Sequence, residues 1–98
     1  MRKKGYQILD QNFRCRQGEI DIIAEDQGCL VFVEVKYRRD DSCGHPAEAV
    51  DRRKQQKLYH TARYYLYRKG YGEDMACRFD VIAVYGDGRV IQIEQAFD

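Results

Sequence analysis

The sequence predicts a mixed α/β fold of five strands and one long helix, from three observations. Apolar residues alternate through "GEIDIIAEDQGCLVFVEVKYRR", Gly18 to Arg39, as in a strand pair. After Pro46 the period changes, and Ala47, Val50, Leu58, Ala62, Tyr65 and Leu66 recur at helical spacing. Beyond the helix, "CRFDVIAVY" and "RVIQIEQAF" flank a "GDG" turn and read as a second strand pair. Three strands, a helix and two strands fit most simply into one mixed sheet with the helix on one face.

Taken in order, "GYQILDQNF", Gly5 to Phe13, alternates weakly and is the first strand, with "RCRQG" as the turn after it. Glu19–Glu25 and Leu30–Lys36 are strands two and three, and Gly28 in "DQGC" supplies the tight turn between them. Tyr37 to Pro46 is a polar loop. Pro46 suits a first helical position, so the helix is expected from Ala47 to Lys69, stopped by Gly70. Cys77–Tyr85 and Arg89–Phe97 complete the sheet.

Length and composition narrow the function without naming it. A chain of 98 residues makes one domain with a real core. Lys and Arg number 17 against 16 acids, so net charge argues neither for nor against nucleic acid. No apolar run approaches a membrane span, and the basic start "MRKKGYQ" lacks the apolar stretch of a signal peptide. A cytoplasmic protein with no membrane partner is expected. Cys15, Cys29, Cys43 and Cys77 form no CxxC pair, so they are read as free thiols, not zinc ligands or disulfides. His45 and His60 have no partner spacing that suggests ligands.

The hairpin raises a sharper question, because Glu19, Asp21, Glu34 and Lys36 interrupt an apolar pattern. A loop centred between Gln27 and Gly28 sets Ile22 opposite Val33, Asp21 opposite Glu34 and Glu19 opposite Lys36. A three-residue loop would set Asp21 against Val33 or Val35, mixing charge with core. In the favoured register the four charges share one face at one end, continued by Ile23 and Phe32. Ile20, Ile22, Ala24, Val31, Val33 and Val35 form the other, wholly apolar face. Two carboxylates directly across a sheet repel, so they either share a proton or hold a divalent cation. Hard oxygen donors of this kind suit Mg²⁺ or Mn²⁺ and leave room for a substrate phosphate. Lys36, two residues from Glu34, would hold a water or offset phosphate charge. The alternative is an ordinary cross-strand pair of Glu19 and Lys36, with Asp21 and Glu34 solvated at an exposed corner.

Asp, a hairpin and Glu-Val-Lys is also the arrangement of the PD-(D/E)xK nucleases, which have the restriction-endonuclease-like fold. "GYQILDQNFR", "GEIDIIAEDQGCLVFVEVKYR", "AVDRRKQQKL", "CRFDVIAV" and the closing "EQAF" together resemble the uncharacterised bacterial YraN-like family. That family is similar to Holliday-junction resolvases within the nuclease superfamily. The resemblance implies Asp21 and Glu34 as metal ligands, Lys36 as the catalytic lysine and Glu19 as an accessory acid. In one respect the chain departs from the family, whose members usually begin with a helix ahead of the "GY" strand. Here only "MRKK" stands there, as a truncated start would also leave it. The departure implies loss of a fourth acid and an uncovered sheet face, which a second copy in a homodimer would cover.

Basic residues surround the expected site. Arg52, Arg53, Lys54, Lys57, Arg63, Arg68 and Lys69 lie on the helix against Glu48 and Asp51. Lys54 falls on the apolar stripe with Val50 and Leu58, so it either snorkels to water or reaches the carboxylates. Lys54, Lys57, Arg53, Arg38 and Arg39 are the candidate nucleic-acid contacts, although Asp40 and Asp41 dilute the last two. Tyr59, Tyr64, Tyr65, Tyr67 and Tyr71 are expected to pack rather than stack on bases. Asp80 is either a further site acid or a partner of Arg78. The functional expectation is a Mg²⁺- or Mn²⁺-dependent nuclease-like protein acting on DNA, branched or single-stranded. The alternatives are an inactive module on the same fold that binds nucleic acid or protein, and a purely structural homo-oligomer.

Overall fold

The computed structural model describes residues 5–39, 50–72 and 74–97. Asp40, Asp41, Cys43, His45, Pro46, Ala47, Glu48 and the "MRKK" start lie outside the described residues. The elements are β1 (Gln7–Cys15), β2 (Gly18–Asp26), β3 (Cys29–Arg38), α1 (Arg52–Lys69), β4 (Cys77–Tyr85) and β5 (Val90–Phe97). They form one five-stranded sheet in the order β1-β2-β3-β4-β5, with only β3 and β4 running parallel. A parallel pair needs a long crossover, and α1 lies within it. Among the described residues no helix is long and apolar enough to cross a membrane.

The β2–β3 turn follows the expected chemistry. Gln27 and Gly28 have φ of 51° and 82°, the left-handed pair that a two-residue hairpin turn requires. The ladder runs in the expected register, from Asp26–Cys29 through Ala24–Val31 to Ile22–Val33. Strand β4 occupies its expected span, and β5 starts one residue later than expected. Two ends differ. Strand β1 begins later and includes Arg14 and Cys15, because Cys15 pairs with Gly18 and leaves only Arg16 and Gln17 for the turn. Strand β3 continues through Tyr37 and Arg38, which pair in parallel with Val84 and Tyr85 instead of opening into a loop.

The helix also starts later than its spacing suggested. Asp51 is extended, with φ −73° and ψ 175°, and its carboxylate accepts the Lys54 N–H at 2.9 Å. That side-chain cap satisfies an orphan donor and makes Asp51 the boundary, with Val50 buried just outside the helix. At the other end Tyr71 N–H reaches back to Leu66 O at 2.9 Å around Gly70, the expected stop.

Two apolar layers cover the sheet. On the helix side Ile20, Ile23, Leu30, Phe32 and Val81 pack under Val50, Leu58, Ala62 and Tyr65. The helix comes close at Gly18, where a Cβ would stand 3.2 Å from the buried Thr61 hydroxyl. Most of the tyrosines pack as expected: Tyr65 meets Phe13 and Phe32 edge-on, and Tyr59 does the same with Phe79. On the other side Tyr6, Ala24, Val31, Val33 and Ile82 are buried together. The face expected to lie bare is capped at this end by Tyr6, which sits before β1 yet reaches Glu94 and Gln92 of β5.

Asp80 is the partner of Arg78. It is fully buried, accepts from Arg78 Nε at 3.1 Å and from Gln92 Nε2 at 2.9 Å, and takes the Gln95 N–H at 3.0 Å. Arg78 also donates to Asp26 at 3.2 Å and to the Tyr6 hydroxyl, and this anionic surround holds its pKa above the usual arginine value despite burial. The register between β4 and β5 shifts beside Asp80, and the exchanged ladder bond is the one to Gln95. A buried carboxylate so fully satisfied fixes a structure. Asp80→Ala strands Arg78 and is expected to lower unfolding free energy by about 3–5 kcal/mol. Asp51→Ala, which removes only the cap, should cost about 1 kcal/mol. Urea unfolding compares them, and a loss in Asp80→Ala no larger than in Asp51→Ala would contradict the structural role of Asp80.

Candidate functional site

Past Ile22–Val33 the ladder between β2 and β3 gives way to a side chain. Val35 N–H donates to Asp21 Oδ2 at 2.8 Å, a bond that an unbroken antiparallel ladder would give to a β2 carbonyl. The strict alternation of β2 breaks at the same place. Ile20 was expected on the far face with Ile22 and Ala24; instead it is 1% exposed in the helix-side core with Ile23. The strand turns over around Asp21, so Asp21 lies where β2 and β3 part. Gln11, Asn12, Ile22, Val35 and Tyr37 line a shallow cleft beside it. Asn12 has φ of 54° there, and the Tyr37 side chain is almost wholly exposed.

Glu34 lies under the start of α1. It is 7% exposed, and Lys54 Nζ approaches its Oε2 at 2.8 Å. The approach is electrostatic: Oε2 is buried and has no aligned hydrogen bond. The crossover explains the placement, since α1 returns over the sheet with its first turn above the end of β3. Lys54 thus takes the second of the two courses open to it, reaching the carboxylate while its side chain stays 43% exposed.

The charges perturb one another in consistent directions. Burial, and then the neighbouring Asp21 carboxyl, push Glu34 above the usual carboxylate range, against the pull of Lys54. Burial and the adjacent Lys54 ammonium hold Lys36 below the usual lysine value. Contact with Glu34 holds Lys54 above it. Asp21, Glu34, Lys36 and Lys54 therefore form one cluster of two carboxyls and two amines. Such a cluster is costly to bury, and costly clusters of perturbed groups gather at functional sites.

The remaining expected residues stand apart. Glu19 does not face Lys36; it pairs with Arg14 at 3.0 Å on an exposed surface, because the twist at Asp21 carries it away. Lys57 is exposed on α1 above Gly18, and Arg53 is exposed in its first turn. Arg38 is half-buried with an unpartnered Nε, and Arg39 is exposed at the end of β3. No acid stands in the first turn of α1, which runs Arg52, Arg53, Lys54. Three cations occupy the end of the helix dipole that favours anions, an arrangement suited to receiving phosphate. Sequence spacing did not pick out Asn12 or Tyr37, since a positive φ within a strand and an exposed strand-end ring leave no periodic signal.

The raised pKa of Glu34 has a consequence for stability. A raised carboxyl binds its proton more tightly in the folded chain than in the unfolded one. Its contribution is complete below the ordinary value of 4.5 and is lost as pH rises through the raised value. In metal-chelating buffer at neutral pH, Glu34→Gln is expected to melt at a higher temperature than the unaltered chain, with the gap closing below pH 4.5. Thermal melts at the two pH values check this. A less stable Glu34→Gln at neutral pH would mean that the Lys54 pair outweighs the burial cost.

Comparison with known proteins agrees with the family resemblance. The model of "Uncharacterised protein family UPF0102" matches residues 1–84. A UPF0102 protein of Lachnoclostridium phytofermentans is 48% identical over 96 residues, covering 98% of this chain and 80% of the relative. One from Persephonella marina is 42% identical over 98 residues, covering 100% of this chain and 83% of the relative. One from Coxiella burnetii is 39% identical over 98 residues, covering 100% and 82%. With the family model spanning most of the chain and relatives aligned along its whole length, the protein belongs to the uncharacterised protein family UPF0102.

Proposed function

We propose that this chain is a metal-dependent nuclease-like protein that hydrolyses phosphodiester bonds in DNA, branched or single-stranded, in the cytoplasm. The observation that carries the reading is Glu34, a buried carboxylate beside Asp21 and two lysines whose burial raises its pKa against the pull of Lys54. Residues that destabilise a fold persist where activity needs them.

The donors fit a hard divalent cation. Asp21 and Glu34 bring carboxylates to one place, and Glu34 Oε2 is buried without an aligned hydrogen bond, an acceptor with unused capacity. Among the described residues no group of three or more His, Cys, Asp or Glu gathers around a single point. Asp21 and Glu34 would therefore supply the protein's carboxylates, with water and phosphate filling the other positions, as Mg²⁺ is commonly held. Mg²⁺ or Mn²⁺ bound there would make a water more acidic and offset charge on the phosphate. Lys36, with its lowered pKa, would orient the attacking water and stabilise charge as it develops. Lys54, Lys57 and Arg53 would hold backbone phosphates at the start of α1, with Arg38 and Arg39 extending the grip. This arrangement supports a restriction-endonuclease-like relationship for the fold.

A second reading has one observation in its favour. With Glu19 bound to Arg14, the site has two acids and no third among the described residues, as an inactive module that only binds nucleic acid would. Cleavage of labelled branched and single-stranded DNA with Mg²⁺ or Mn²⁺ separates the two. The nuclease reading expects metal-dependent cutting that disappears in Asp21→Asn and falls at least about a hundredfold in Lys36→Ala. Cutting that survives Asp21→Asn would remove the site from the hairpin. Salt-sensitive binding without cutting would leave the inactive module.

A further inference from the structure

Lys54 holds the position that a cation on Glu34 would need. Its ammonium lies 2.8 Å from Glu34 Oε2, the buried oxygen with no aligned hydrogen bond. The four charges of the cluster, two acids and two amines, are already balanced. A divalent ion joining Asp21 and Glu34 would bring two further positive charges against an ammonium at contact distance, in a pocket that screens poorly. Something must leave, and Lys54 has the exit. Its side chain is 43% exposed, while Glu34's is 8% exposed and fixed in β3. The first turn from which Lys54 projects carries Arg52 and Arg53, both exposed, and no acid.

We propose that Lys54 is an exchangeable internal counter-ion: it neutralises Glu34 until a divalent cation arrives, and then swings out to hold a nucleic-acid phosphate beside that cation. The inference rests on the metal-binding reading above and adds a coupling to it. Lys54 weakens metal binding by the protein alone, because the ion must expel it. Once freed, the same ammonium is available to a nucleic-acid phosphate. Metal and nucleic acid therefore strengthen each other's binding, and by linkage the factor is the same in both directions. The site stays neutral and closed to stray ions until its substrate is at hand.

Manganese titration followed by the electron-spin signal of free Mn²⁺ tests this without relying on turnover. Lys54→Met keeps the apolar stem and removes the charge, and Lys54→Gln repeats the test with a polar end. Arg63→Met, which removes a positive charge further along the same helix, is the control. Without nucleic acid, both Lys54 variants are expected to bind Mn²⁺ at least about fivefold more tightly than the unaltered chain, the lower end of ordinary coupling factors. Arg63→Met is expected to bind it as the unaltered chain does. Adding a hydrolysis-resistant phosphorothioate single strand should tighten Mn²⁺ binding in the unaltered chain, and most of that gain should be absent in Lys54→Met. Equal Mn²⁺ affinity in Lys54→Met and the unaltered chain would overturn the exchange and leave the metal site standing. Equal tightening by the single strand in both would overturn the move to phosphate. Asp21→Asn with unaltered Mn²⁺ affinity, or no Mn²⁺ binding by any variant, would remove the metal-binding reading itself.

Discussion

The parallel pairing of β3 with β4 is the constraint on which the site depends. Antiparallel neighbours can be joined by a two-residue turn, as β2 and β3 are, but a parallel pair requires the chain to cross over the sheet. Here α1 lies in that crossover and packs its Leu58–Ala62–Tyr65 stripe over β2 and β3. The first turn of α1 consequently lies above the end of β3, and Lys54 meets Glu34 there. Glu34 is buried for the same reason. Glu34 pairs with Val81 across the parallel ladder, and the helix covers that face. An acid buried by the fold's own topology must take a cation or a proton, and its surroundings supply both tendencies.

A second feature sets the site apart from a plain ion pair. Asp21 interrupts the β2–β3 ladder by taking the Val35 N–H on its carboxylate, and β2 turns over at that residue. Asp21 is thereby held at a break in the sheet, next to the end of β3 that carries Glu34 and Lys36. The Asp80 network, one ladder position away but on the opposite face of the sheet, makes the contrast clear. Asp80 is also buried, yet it is surrounded by Arg78, Gln92 and the Gln95 amide, so every lone pair it offers is used. Two buried carboxylates in one small protein thus have opposite characters. Asp80 is satisfied and structural; Glu34, buried under the start of α1, meets Lys54 at 2.8 Å without an aligned hydrogen bond on Oε2.

Much of the fold was legible because local chemistry dictated it. Gly28 fixed the hairpin turn, the turn fixed the register, and the register put Ile22 against Val33. β4 was bounded by clear changes of pattern at Cys77 and Tyr85. What escaped was non-local or hidden in a side chain. Asp51 read as a helical residue, although it stands just before the helix and its carboxylate caps the first turn at the Lys54 N–H. Ile20 and Glu19 were misplaced because a strict period of two cannot anticipate the turn of β2 at Asp21. Tyr37 and Arg38 looked like loop because their strand partners, Val84 and Tyr85, lie far along the chain. The choice between two roles for Asp80 needed Gln92 and Gln95, which spacing does not connect to it.

The central claim is that Asp21 and Glu34 together hold a divalent cation which takes the place of the Lys54 ammonium. The most direct test is anomalous diffraction from crystals grown with Mn²⁺ and from crystals grown with a chelator. The account predicts one manganese peak about 2.1 Å from carboxylate oxygens of both Asp21 and Glu34, with Lys54 Nζ withdrawn from Glu34. In the chelated crystals Lys54 should rest on Glu34 as it does here. No manganese between the two carboxylates, with Lys54 unmoved in both crystals, would contradict the account.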